Sequence, residues 1–200
     1  PYKYLFYRIL VVPSVPIGHI YGKNSRQPDV KLKVPICIFD AKTGVLCPKC
    51  ESRLKNGELS TIDVESSIKL IKLSHKNQDI DKLNLIGSQK IDEDYVLILK
   101  DSNVSHINSD DELMSSVEKE FNGKVWFVEA NSSIRRFLEN LFFPIRILKT
   151  NMIWLPDGNQ VTQVTIESKD YEKFFSIIEK IKKIVNAVRK VELVVEIAGK

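Results

Sequence analysis

The sequence predicts an α+β fold in which a small metal knuckle precedes two modules of like order, α-β-β-α-β. Three observations predict it. Cys37, Cys47 and Cys50 fall within fourteen residues. Helical and extended apolar patterns follow one another in the same order twice, over 60–129 and 132–197. The composition, 43% hydrophobic and 28% charged, is that of a chain able to bury a core. The expected organisation is a basic, aromatic extension (1–32), a knuckle (33–59), a first module (60–130) and a second (131–200).

Residues 1–30 are basic and aromatic, then turn-rich at Pro13, Pro16, Gly18, Gly22 and Pro28. They predict one or two strands with loops. Ser60, with Asp63 three positions later, reads as a capping box opening a helix along Val64, Ile68 and Ile71. Leu83–Ile91 and Tyr95–Lys100 read as strands around the acidic turn Asp92-Glu93-Asp94, which reads as a solubilising loop. Ser109-Asp110-Asp111-Glu112 is a second capping box, before a helix carrying Leu113, Val117 and Phe121. Asn122-Gly123 ends that helix, and Lys124–Glu129 is extended.

In the second module, Ser132 or Ser133 opens a helix with Ile134, Phe137, Leu138 and Leu141, and Pro144 stops it. Ile145–Leu155 and Val161–Glu167 are strands about the turn Pro156-Asp157-Gly158. Ser168 is expected to cap a long helix whose apolar face runs from Phe174 to Val188. Its opposite face, with Lys180, Lys182, Lys183, Arg189 and Lys190, reads as solvated. Val191–Ile197 is the closing strand.

The chemistry sits in Cys37-x2-Asp40-x6-Cys47-x2-Cys50. A Cys-x-x-Cys turn brings two thiolates to one ion, and Cys37 and Asp40 repeat the spacing with a carboxylate as fourth member. Gly44 lies where the connection must turn. The set predicts one tetrahedral Zn²⁺, with His75 or a water as alternative fourth ligands to Asp40. Two other readings remain open from spacing alone, a redox pair at Cys47 and Cys50 and cysteines acting as small buried hydrophobes. An odd number of cysteines argues against a disulfide framework.

Net charge is +4, spread as +6 over 1–74, −6 over 75–130 and +4 over 131–200. Basic ends suit an acidic partner such as RNA, and the acidic middle does not. Lys42, Lys49, Arg53 and Lys55 surround the knuckle and are the candidate nucleic-acid contacts. No apolar run reaches the roughly 18–20 residues that span a bilayer, and Tyr4–Pro16 lacks the order of a secretory signal. A cytoplasmic protein with no membrane partner is expected. No phosphate loop, nucleophile elbow, H-E-x-x-H or paired-carboxylate pattern is present, so binding rather than catalysis is expected.

Val34-Pro-Ile-Cys37, Ala41-Lys-Thr-Gly44-Val-Leu-Cys47-Pro-Lys-Cys50 and Leu54-Lys-Asn-Gly57-Glu58-Leu-Ser-Thr-Ile-Asp63-Val64 together resemble the start of archaeal NusA-like KH-domain proteins. Leu141-Phe-Phe-Pro144-Ile-Arg146-Ile-Leu and Trp154-Leu-Pro156-Asp157-Gly158 look like that family's second module. The resemblance covers roughly residues 33–166. It implies two KH-like modules after a zinc knuckle, and a role in transcription elongation. The chain departs from the family at the G-x-x-G loop that clamps a nucleic-acid backbone. The matching stretch, Ile107-Asn108-Ser109-Asp110-Asp111-Glu112, has no glycine and puts three carboxylates at a helix start. The second module has no G-x-x-G either. The expected function is an RNA- or ribonucleoprotein-associated factor acting with the transcription or translation machinery. The alternative is an assembly subunit docking on RNA polymerase or the ribosome without touching RNA.

Overall fold

A computed structural model describes residues 31–100, 104–156 and 160–199. The strands expected within residues 1–30 and the Pro156-Asp157-Gly158 turn fall outside the described residues, the turn in all but Pro156. The fold is α+β, as expected. Two short helices form the knuckle, α1 (Ile38–Thr43) and α2 (Pro48–Lys55). The first module then runs α3 (Thr61–Ser74), α4 (Gln78–Asp81), β1 (Leu85–Ile91), β2 (Asp94–Leu99), α5 (Val104–Asn108), α6 (Asp111–Phe121) and β3 (Val125–Glu129). The second runs α7 (Ile134–Phe142), β4 (Lys149–Trp154), β5 (Gln160–Ile166), α8 (Ser168–Arg189) and β6 (Glu192–Ile197). Among the described residues no helix is long and apolar enough to cross a membrane.

The two modules have the same sheet. β1 pairs antiparallel with β2 and β2 parallel with β3; β4, β5 and β6 repeat that arrangement. A parallel neighbour requires a crossover, supplied by α5 and α6 in one module and by α8 in the other. Apolar side chains divide between two cores. Leu97, Leu99 and Phe127 face α3, α6 and the knuckle. Val96 and Val128, on the opposite face of the same sheet, meet α7 and α8, which also cover β5 through Val164 and Ile166. The molecule is therefore four layers, helix, sheet, helix, sheet. β2 is buried on both faces, which explains why Tyr95–Leu99 is an unbroken apolar run rather than an alternating one.

The acidic turn is only partly the solvated loop expected: Asp92 and Glu93 are exposed, but Asp94 is buried. Lys180 of α8 reaches both oxygens of Asp94 at 2.8 and 2.9 Å, the Trp126 indole N–H donates to Asp94 at 3.0 Å, and Lys183 meets Asp92 at 2.7 Å. The lysine face of α8 thus holds the first module's hairpin. Arg189 adds a second tie, donating to the carbonyls of Glu129 and Ser132 and lying 4.6 Å over the Phe137 ring.

Two helix caps and one strand start differ from expectation. Asp110, not Ser109, caps α6, accepting from Leu113 N–H at 2.9 Å, while the Ser109 hydroxyl donates to His106 C=O. Glu167 occupies the N-cap of α8 with no side-chain cap bond, and Ser168 is already helical. β4 begins at Lys149 rather than Ile145, because the ladder with β5 starts where Lys149 meets Thr165; Ile145 instead buries its side chain in the second core. The short helices α4 and α5 were not foreseen.

Candidate metal centre

Each ligand is placed by a helix start. Cys37 is the N-cap of α1, and its sulfur accepts from Asp40 N–H at 3.5 Å. Gly44 ends α1 at φ +75, a left-handed conformation that suits glycine, and turns the chain back. Cys47 is the N-cap of α2, with Pro48 at the first helical position where a missing N–H costs nothing. Cys50 lies one turn into α2 and Asp40 one turn into α1. The connection is short, so the two helix starts meet.

Ligand atoms of Cys37, Asp40, Cys47 and Cys50 all lie within 4.8 Å of one another, close enough to hold one metal ion. Sulfurs about 2.3 Å from zinc would be about 3.8 Å apart on a tetrahedral edge, so a small contraction closes the set. His75, the alternative fourth ligand, sits at the C-terminus of α3 and is not part of the group.

Asp40 decides the fit. Its side chain is buried, and Oδ2 accepts from Cys47 N–H at 3.0 Å, tying the two half-sites together. Oδ1 is buried with no hydrogen-bond partner. A buried carboxylate oxygen without a partner is costly, and a cation beside it removes that cost. The Cys47 amide, assisted by the nearby thiols, holds the Asp40 carboxyl at about 2 against the effect of burial, so it is ionised. A hydrogen bond from the Cys37 backbone lowers the Cys50 thiol, but burial and the Asp40 charge outweigh it and push that thiol up to about 11. Cys37 is also raised, because the Asp40 carboxylate and burial overcome the backbone bond from Asp40 that lowers it. Burial and the Asp40 charge thus disfavour the thiolates of Cys37 and Cys50 where no cation balances them. The Cys-x-x-Cys is preceded by a turn rather than a strand.

The centre is fastened to the first module. Ala41 and Cys50 are buried in its core, α1 packs on α3, and Lys33 bridges to Asn84 beside β1. The four candidate basic contacts divide into two kinds. Arg53 donates to Pro35 C=O at 2.8 Å and pairs with Glu58, and Lys55 pairs with Glu51 at 2.7 Å. Lys42 and Lys49 are exposed and have no partner among the described residues. Two features escaped sequence reasoning. Asp63 not only closes the capping box with Ser60 but also accepts from the backbone and hydroxyl of Ser88 on β1. Phe39, between two ligands, is 70% exposed. The alternation of inward ligands around it is the signal that could have found it.

Comparison of the sequence with known protein families and with curated proteins finds no match. Among solved structures the chain is similar to one described as "Crystal structure of APE1850", at 14% identity and a TM-score of 0.45, over 57% of this chain and 88% of that one.

Proposed function

We propose that this chain is a cytoplasmic zinc protein that binds RNA or a ribonucleoprotein through its knuckle, acts with the transcription or translation machinery, and performs no catalysis. Three thiols and one carboxylate at tetrahedral reach suit Zn²⁺ above the harder divalent ions. Free thiols in a metal set suit a reducing compartment. The repeated α-β-β-α-β order supports KH-like modules. The junction between α5 and α6, where a G-x-x-G loop would clamp a backbone, ends in the Asp110 cap; that helix start already holds a carboxylate, so phosphate contact belongs elsewhere.

The observation that carries this reading is the placement of Lys42 and Lys49. They stand exposed, with no partner among the described residues, on the two helices that bring the four candidate ligands together, whereas Lys180 and Lys183 are engaged by the acidic hairpin. Cations on a rigid frame lose little entropy on meeting phosphate. Filter binding of random RNA at two salt concentrations tests it. Binding should weaken with salt, and the double charge reversal Lys42→Glu/Lys49→Glu should flatten the log–log slope by about 0.7 per lost single-strand contact. No binding at low salt removes direct RNA contact.

A second reading, docking on a protein complex such as RNA polymerase or the ribosome, is favoured by β4. This edge strand leaves Met152 62% and Trp154 71% exposed, and exposed apolar edges invite another strand. Recovery of one stoichiometric protein from native extract, unchanged by nuclease and lost in Trp154→Lys, supports that reading over the first.

A further inference from the structure

We propose that Phe39 is a stacking platform for an unpaired nucleobase, making the knuckle selective for single-stranded RNA. The inference rests on the reading of the knuckle as an RNA contact and names the form of RNA that it takes.

Every other apolar or ligating side chain of this short helix has an inward task. Cys37 and Asp40 belong to the metal group, Ala41 is buried, and Ile38 packs on the first core. Phe39 alone presents an apolar side chain to water. Among the described residues its ring belongs to neither core. The helix that carries it is fixed at its start by Cys37 and at its end by Gly44, so the ring is held out on a rigid support. Val45, directly after the turn at Gly44, is also 69% exposed.

Charge selects the occupant. Lys42 is three residues on from Phe39 and so shares its helix face, and Lys49 stands at the start of the partner helix. Neither has a carboxylate partner among the described residues. An aromatic face with a cation beside it on the same helix suits a base on the ring and an adjoining phosphate on the amine. A base inside a duplex has no free face, and the deep, narrow major groove of A-form RNA does not admit side chains to read it. The patch therefore fits a single strand with a splayed base.

The test uses the intact zinc-loaded protein with a labelled single-stranded oligouridine and a duplex of equal length. Single-strand binding should exceed duplex binding. Phe39→Ala should weaken it roughly 5- to 150-fold, the range of one lost base stack. Phe39→Trp should bind at least as well, with indole fluorescence quenched by the strand, and Phe39→Leu should not restore binding. Unchanged zinc content and melting in each variant confirm that the fold is intact. If Lys42→Glu/Lys49→Glu weakens binding while Phe39→Ala does not, the stacking inference is overturned and the knuckle reading stands. Full binding by Phe39→Leu also overturns stacking, because an aliphatic contact then suffices. Absence of oligouridine binding at low salt overturns both.

Discussion

Asp40 carries more of the metal centre than its single carboxylate suggests. One oxygen accepts from the Cys47 amide and the other is buried with no partner among the described residues. Asp40→Ala should therefore lower zinc affinity at least tenfold, measured by competition with a chromophoric chelator. Proton linkage follows from the thiols. Cys50 sits near 11 and Cys37 is raised, so both are protonated at neutral pH and the ion must displace those protons. Binding that releases protons strengthens as pH rises, so the same competition at pH 8 should show tighter zinc than at pH 6; equal affinity would contradict thiolate ligation. Asp63 is the other residue with two tasks. Asp63→Ala removes the α3 cap and leaves the Ser88 N–H without its acceptor, which should cost about 1–3 kcal/mol in denaturant unfolding. The cysteine set and the Ser60–Asp63 box were legible because both depend on spacing of three. The Ser88 bond was not, because it joins residues 25 apart in sequence.

At the scale of elements, the knuckle contributes to the first core as well as to the candidate metal group. Leu32, Ile36 and Leu59 bury apolar surface in the first core alongside Cys50. Chelation should lower the melting temperature and speed amide exchange in α1 and α2, while protection in β2 and β3 persists. Loss of protection everywhere would mean that the ion organises the whole module. Most elements were legible from capping residues and periodicity. At the starts of α6 and α8 adjacent residues could each cap, and at α8 Glu167 takes the cap position without a side-chain bond. In α6 the Asp110 carboxylate reached the Leu113 N–H, and Ser109 was free to bond backward to His106. Asp110→Ala should cost about 1 kcal/mol of stability and leave RNA affinity unchanged.

The whole molecule is joined by a sheet shared between two cores, and here sequence was least informative. The run Tyr95–Leu99 announced a buried strand but not which elements covered each face. The acidic middle and the basic last helix looked like separate solvated surfaces, yet Asp94 and Lys180, 86 residues apart, form the link between modules. Asp94→Ala leaves the Trp126 N–H and Lys180 without their acceptor and should destabilise by about 1–3 kcal/mol. That link engages Lys180 and Lys183 of α8 with the acidic hairpin. Everything proposed for the knuckle depends on an ion closing Cys37, Asp40, Cys47 and Cys50 into one rigid corner. The most direct measurement is the metal content of protein purified without added metal. The account predicts close to one equivalent of zinc per chain, with a fall in melting temperature on chelation. Less than about half an equivalent, together with a melting temperature that chelator leaves unchanged, would contradict it.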